Sequence, residues 1–420
     1  MGEFLELKDP AVFWENYSVY LEKIKRGKEV IDFSKAKNRI VAKEIKADED
    51  LPPFSRSTVD GFAVRAKDTA GASSSLPQYF EVIGEIKMGD KSEFKIASGE
   101  AVQIPTGGML PSGADAVVMV EYSQPVDDST VEISRPVAVG ENVVLKGEDI
   151  ACGETLLAKG HRIRPRDIGA LAGLGITELE VFSQPEVAVI STGDELVNPN
   201  EKIKQGEIRD INSYSISSII EELGAKPRII GIVEDSLAKL KMAIKENLDA
   251  DLILISGGSS VGVKDLTIKL LNDLGEPGVL LHGLSIKPGK PTIQAVVDHT
   301  PVMGIPGHPA SAWTITRIMV IPLIRVLQGE MDWEEAEKME CKYQIQAELN
   351  RNISSDRGRE EYIPVSLYED SDGSLKAEPI TGKSSLITTL VEGEGLLKIK
   401  RYVEGKKKGE TVKIKLIDQL

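Results

Sequence analysis

Four short stretches carry residues suited to binding an anion or a metal–anion pair. Each directly follows an apolar run: Thr192-Gly193-Asp194-Glu195, Glu234-Asp235-Ser236, Ser256-Gly257-Gly258-Ser259-Ser260-Val261-Gly262 with Asp265 close behind, and Pro306-Gly307-His308-Pro309. The Ser256–Gly262 stretch offers backbone N–H groups and a helix start to an anion such as phosphate, or it is an ordinary strand-to-helix turn. It lacks the GK[ST] of a Walker loop and the GxGxxG dinucleotide pattern. The PGHP stretch reads equally as a rigid turn ahead of a helix. Lys287 and Lys290 flank Pro288-Gly289, so a stiff loop presents two cations to an oxyanion, or two solvated lysines. Glu195, Asp210, Asp235 and Asp265 are carboxylates in or beside these loops. Beside a phosphate they suit Mg²⁺, which takes one or two carboxylates plus substrate oxygens. Singly, each also reads as a helix cap or a solvated acid, with Asp265 capping its helix and Asp210 with Asn212 capping another.

The elements that must position these loops are legible as a rhythm of strand, turn and helix over 186–328. EVAVIST, RIIGIV, DLILIS and VMGIP read as strands. NSYSISSIIEELGA, SLAKLKMAIKENL, DLTIKLLNDLG and a long run from Ser311, bent at Pro322, read as helices. Apolar strands alternating with helices predict a doubly wound, largely parallel sheet, which binds ligands beyond its strands' carboxyl ends. Residues 11–26 predict one amphipathic helix closed by Gly27. Residues 46–150 change to short β-rich runs with turns at roughly ten-residue intervals, a β module. Asp60-Gly61 reads there as a turn. β texture returns from about 330 to 420.

The 420-residue chain carries 51 basic and 66 acidic residues, a formal charge of −15, with 41% hydrophobic and 28% charged residues. This is globular composition, long enough for several domains. The acidic balance argues against nucleic-acid and anionic-membrane binding. Two separated cysteines, Cys152 and Cys341, exclude a disulfide scaffold and suit a reducing cytoplasm. His161, His282, His299 and His308 lack zinc-ligand spacing, and no nucleophile–His–acid arrangement emerges. The start, MGEFLELKDP, shows no secretory signal. The most apolar stretch, about 315–327, contains Arg317, Pro322 and Arg325 and reads as too short to span a bilayer.

Taken together, the segments resemble the molybdopterin molybdotransferase family, the MoeA type, and the homologous E domain of gephyrin. The matching stretches are LPPFSRSTVDGFAVR (51–65), IPTGGMLPSGADAVV (104–118), GENVVLKGEDI (140–150), VISTGDEL (189–196), IRDINSYSI (208–216), SGGSSVGVKD (256–265), IKPGKP (286–291) and GIPGHPAS (304–311). The resemblance implies an α/β and β multidomain protein. A Rossmann-like molybdopterin-binding domain would occupy 1–27 and 176–328, and an elongated connecting domain 28–45 and 150–175. An inserted β domain would occupy 46–149 and a β-barrel-like C-terminal domain 329–420.

It also implies a reaction in which adenylylated molybdopterin and molybdate (or tungstate), with Mg²⁺, give molybdenum cofactor and AMP in a homodimer. A molybdopterin adenylyltransferase would be the upstream partner. By position, Asp60 and Thr106 would enter the cleft from the inserted domain. Glu195, Asp210 and Asp235 would line it with Thr192, Gly193, Ser256, Gly257, Pro306, Gly307 and His308. Gly258, Ser259, Ser260 and Asp265 would serve the phosphate and Mg²⁺ region, with Asp235 and Glu195 as further metal ligands. Lys287, Lys290, Arg359, Ser384 and Ser385 would form the molybdate and pyrophosphate side. The sequence departs from the family at Val143-Val144-Leu145-Lys146, in place of an arginine-rich run, at His308 in place of asparagine, and at Pro364. Rival readings are an adenylyltransferase-like enzyme and a dimeric scaffold without turnover.

Overall fold

The computed structural model describes residues 7–21, 26–257, 261–339, 344–380, 382 and 387–417, with side chains at 261–266 left aside. The chain opens on α1 (Pro10–Leu21), whose Phe13, Trp14, Tyr17 and Leu21 recur at three- and four-residue spacing and are buried. The expected helix over 11–26 is thus seen to Leu21, with 22–25 outside the described residues. Phe13 meets Trp14 and Tyr17 edge-on at 4.9 and 5.0 Å.

Next come β1 (Lys28–Asp32) and a six-stranded inserted sheet: β2 (Gly61–Val64), β3 (Gln78–Glu85), β4 (Glu100–Ile104), β5 (Ala116–Met119), β6 (Ser123–Pro125) and β7 (Thr130–Ile133). Its order is β5-β2-β4-β3-β7-β6. Gly61, read from sequence as part of a turn, instead opens β2. A side chain there would run into the Val118 carbonyl, 1.8 Å from an ideal Cβ, so only glycine lets the strands approach.

Helix α2 (Pro165–Gly173) and β8 (Glu178–Phe182) follow, and β8 pairs antiparallel with β1. Leu179 and Val181 therefore pack with Ala36, Val41, Ile163 and Leu171. Hydrogen bonding carries this unit to Phe182, beyond the expected edge at 175. Arg162 fastens it to the next layer, donating from Nε to Glu330 Oε1 at 3.1 Å, from Nη1 to the Leu223 carbonyl at 2.8 Å and from Nη2 to Gln328 Oε1 at 2.9 Å.

The α/β layer contains β9 (Glu186–Thr192), α3 (Asn212–Glu222), β10 (Lys226–Val233), α4 (Leu237–Lys245), β11 (Leu252–Gly257) and α5 (Val261–Leu274). It continues with β12 (Pro277–His282), β13 (Ile286–Lys287), β14 (Ile293–Val297) and β15 (Thr300–Ile305). The sheet runs β10-β9-β11-β15-β14-β12. Its first four strands are mutually parallel and β14 runs against its neighbours. All strands but β14 thus end on one edge. Two apolar clusters sandwich the sheet, one around Val187, Leu254 and Ile324, the other around Ile190, Ile253 and Leu271.

Helix α5 starts at Val261, which puts Asp265 in its second turn and not at its cap, correcting the sequence reading. The long closing run is α6 (Pro309–Ile315), a π-helical turn over Thr316–Val320, and α7 (Ile321–Gln328). The irregularity expected at Pro322 falls just before it, because proline withdraws a donor and crowds the preceding turn's carbonyls. At 20 residues this run is long enough to cross a membrane, contrary to the sequence reading. However, 89% of its most apolar window is buried in the core, which accounts for its apolarity.

Helix α8 (Trp333–Lys338) packs Ala336 onto the same core. The last unit comprises β16 (Gln344–Leu349), β17 (Glu360–Glu369), β18 (Leu375–Pro379), β19 (Gly395–Ile399) and β20 (Thr411–Leu416). Pairings β17–β18–β16–β20–β19–β17 close these five strands into a barrel around Leu349, Val365, Leu397 and Ile414.

Candidate active site

At the carboxyl edge of the parallel strands lies a cavity of about 610 Å³, lined by residues from all four strand ends. Thr192 Oγ1, closing β9, donates to Asp235 Oδ1, just past β10, at 2.6 Å. Asp194 Oδ1 accepts the Asp235 backbone N–H at 3.0 Å. Asp210 is buried, and its Oδ1 accepts from Ser191 Oγ at 3.0 Å and from the Ser213 N–H at 3.1 Å. Asp210 thus lines the cavity and accepts one N–H of the first turn of α3 from outside the helix, whose N-cap is Ile211, while Asn212, expected as a cap beside it, is the first helical residue. Asn212 Nδ2 donates to Ser256 Oγ at 2.7 Å and to the Gly307 carbonyl at 2.8 Å, binding α3 to two strand ends. Its Oδ1 is buried without a partner among the described residues, leaving an acceptor for a ligand.

Gly257 holds φ +130°, and a Cβ there would lie 2.1 Å from the Thr192 carbonyl, so a side chain would break the cavity floor. Across from this polar floor, Leu196, Ile203 and Ile208 form an apolar lip. A flat heterocycle with a polar or anionic tail suits such a site.

A second cavity, about 570 Å³, opens between the α/β layer and the barrel, with Lys287, Lys290, Ser311, Arg351, Glu361 and Thr389 on its walls. β13 pairs parallel with the start of β17, Ile286 opposite Glu360 and Lys287 opposite Glu361, fixing the lysine loop to the barrel. Lys287 Nζ lies 2.9 Å from Glu361 Oε1 and 3.7 Å from Asp356 Oδ2. Lys287 thus lines the cavity while the barrel supplies it a counter-charge, which the sequence reading did not foresee. Among the described residues no carboxylate pairs with Lys290. Helix α6 separates the cavities, with His308 and Pro309 facing the first and Ala310, Ser311 and Thr314 the second.

The first cavity therefore gathers Thr192, Gly193, Glu195, Asp210, Asp235, Ser256, Gly257, Gly307 and His308, and the second Lys287 and Lys290. Pro306 is buried behind the first and lines neither. Asp60 and Thr106 lie together on the inserted sheet, Thr106 donating from N and Oγ1 to Asp60 Oδ1 at 2.7 and 3.0 Å, and line neither cavity. Those donations, led by the backbone N–H, hold the Asp60 carboxyl below its ordinary pKa. Arg359 also lines neither cavity and faces Asp356 at 3.6 Å. Arg351, from the barrel unit, stands in the cavity wall where Arg359 was expected. Gly258, Ser259, Ser260, Ser384 and Ser385 lie outside the described residues, as does the Asp265 side chain.

Among the described residues no three His, Cys, Asp or Glu converge on one point. Asp235 and Glu195 share the first cavity, which fits a hard cation completed by ligand oxygens. Sequence reading missed Asn212 as a cavity residue, as well as Ser311 and Arg351. Asn212 is adjacent to a strand-end loop and was legible as more than a cap. Arg351 is brought in by barrel closure, which no local pattern announces.

Fold and site together define a multidomain α/β protein with a polar cavity at its parallel-strand edge and a second, lysine-lined cavity against a β-barrel. Comparison with known proteins gives the family. Residues 13–175 match the model of the MoeA N-terminal region (domain I and II), 188–326 that of a "probable molybdopterin binding domain", and 346–417 that of the MoeA C-terminal region (domain IV). A relative from Methanocaldococcus jannaschii, named for molybdopterin biosynthesis, is 36% identical over 417 residues, 97% of this chain and 96% of its own. The Bacillus subtilis molybdopterin molybdenumtransferase is 33% identical over 387 residues, 90% and 87% of the two chains. A crystal structure of a Pyrococcus horikoshii MoeA protein superimposes with TM-score 0.80 at 36% identity, covering 98% of this chain and 99% of that one. The chain belongs to the MoeA family of molybdopterin biosynthesis proteins.

Proposed function

We propose that this chain is a transferase of molybdenum cofactor biosynthesis that takes adenylylated molybdopterin and molybdate, or tungstate, and releases the metal-loaded cofactor and AMP. The observation that carries this reading is the pairing of two unlike cavities across α6, one polar and carboxylate-bearing, the other lysine-lined. An organic substrate in the first and an oxyanion in the second would meet at the helix start, and such juxtaposition is itself a large share of catalysis.

In this reading Asn212, Ser256 and the Gly257 and Gly307 backbone orient the pterin and its phosphate. Asp235 and Glu195, with Asp265 from α5, would hold Mg²⁺, which neutralises phosphoryl charge when bound. Lys290, Lys287 and Arg351 would hold the oxyanion through charge-assisted hydrogen bonds. No covalent nucleophile is required, since positioning and charge neutralisation supply the rate.

Asp60 and Thr106 are exposed on the inserted sheet of this protomer, which supports a homodimer in which they face the partner's cleft. A molybdopterin adenylyltransferase would supply the substrate, and the two cysteines suit work in a reducing cytoplasm. The test is direct. Purified protein given adenylylated molybdopterin, Mg²⁺ and molybdate should release AMP without ATP and yield a cofactor that activates an apo-molybdoenzyme. Dimerisation without AMP release would favour the scaffold reading, and a requirement for ATP the adenylyltransferase reading.

A further inference from the structure

Among the described residues, the second cavity's wall holds three cations, Lys287, Lys290 and Arg351, and one carboxylate, Glu361. Glu378, paired with Arg351 at 3.1 Å, and Asp356, near Lys287, stand outside the lining. Glu361 offsets Lys287 and Glu378 offsets Arg351 from outside the lining, which leaves Lys290 as the wall cation with no carboxylate among the described residues. Glu361 is largely buried, its side chain 13% exposed, and only one of its oxygens is used: Oε1 meets Lys287 at 2.9 Å. Oε2 is buried without a hydrogen-bond partner among the described residues. An orphaned carboxylate oxygen costs the resting protein stability, so a residue present only to hold the fold would have both oxygens bonded. Its value must lie in what the cavity admits.

We infer that Glu361 is the specificity-determining residue of this cavity. It restrains Lys287 and trims the wall's charge to suit a tetrahedral dianion over a more highly charged phosphate ligand. The inference rests on the oxyanion reading of the cavity given above. Lys290, with no carboxylate partner among the described residues, becomes the principal contact, and Lys287 a half-neutralised second one. A higher anion gains most from an extra uncompensated cation, since its interaction scales with its charge. Removing the Glu361 charge should therefore help pyrophosphate more than it helps a dianion.

The experiment is calorimetric titration of the full chain with sodium tungstate and with pyrophosphate at matched ionic strength, for wild type and Glu361→Gln. The expected result is that the mutant binds both anions at least as tightly, and that its preference shifts toward pyrophosphate by about tenfold. Glu361→Asp should restore the wild-type preference. An unchanged ratio, or equal weakening of both anions as lost structural support would give, overturns the inference. As a second measure, Lys287→Met should cost less tungstate affinity than Lys290→Met; equal costs also overturn it. Wild type binding neither anion would remove the oxyanion reading itself, whereas wild type binding with an unchanged ratio in the mutant removes only the role of Glu361.

Discussion

Asn212 and Ser256 are joined by a 2.7 Å hydrogen bond that links the first residue of α3 to the end of β11, while the same amide donates to the Gly307 carbonyl. One buried side chain thus fixes two of the four loops around the first cavity. Asn212→Ala should leave the Gly307 carbonyl and the Ser256 hydroxyl short of a donor, at about 1–3 kcal/mol for unmet buried groups. Denaturant unfolding should record that loss, and pterin binding should weaken with it. A mutant equal to wild type in both would deny the amide this bracing role.

The Thr192–Asp235 bond predicts a different split. Thr192→Val keeps the shape of a buried residue but frees the carboxylate to turn. Hydrogen bonds to charged groups contribute about 1.5 kcal/mol or more, so AMP release should fall about tenfold while the melting temperature changes little. Equal loss of stability and rate would mark Thr192 as merely structural.

On the inserted sheet, the Asp60–Thr106 pair predicts a pH dependence. The folded carboxyl sits below its unfolded value because Thr106 donates to it. Its contribution is therefore complete above the ordinary Asp pKa of about 3.9 and disappears as pH falls through the lower folded value. Thr106→Val should raise the Asp60 pKa, read by carboxyl-carbon NMR. Wild type and mutant stabilities should converge once pH falls below the depressed folded value. An unmoved titration would deny the Thr106 hydroxyl its share and leave the backbone N–H as the cause.

The clamp at Arg162 predicts a mechanical effect. Arg162 and Glu330 are 16% and 15% exposed, and Arg325 Nε stands 3.6 Å from the same carboxylate. Glu330→Gln leaves two arginines facing a neutral amide and should cost about 3 kcal/mol, as broken buried pairs do. Proteolysis between the connecting unit and the α/β layer should accelerate in step, and unchanged cleavage would count against the clamp.

What the sequence made legible was what local chemistry dictates. Apolar runs ending in Gly-rich or acidic turns announced the parallel strands, and all four turns meet at one edge as expected. The start of α5 was misjudged because Gly262, a poor helix former, hides its first turn, so Asp265 read as a cap. Gly61 read as a turn because the Val118 carbonyl that demands it comes from a strand 57 residues away. The counter-charge on Lys287 went unseen because Glu361 reaches it only when the barrel closes. The last two are long-range contacts overruling a local preference.

The two-residue pairing of β13 with β17 has a bearing on how this chain could be shortened or recombined. A version cut after Gln328 would retain the sheet, its helices and the Asn212 brace, yet the lysine loop would lose its outer neighbour and the counter-ion of its first lysine. The second cavity is thus a product of association between two independently cored modules, so grafting a foreign barrel would reshape its wall and its charge while leaving the first cavity untouched.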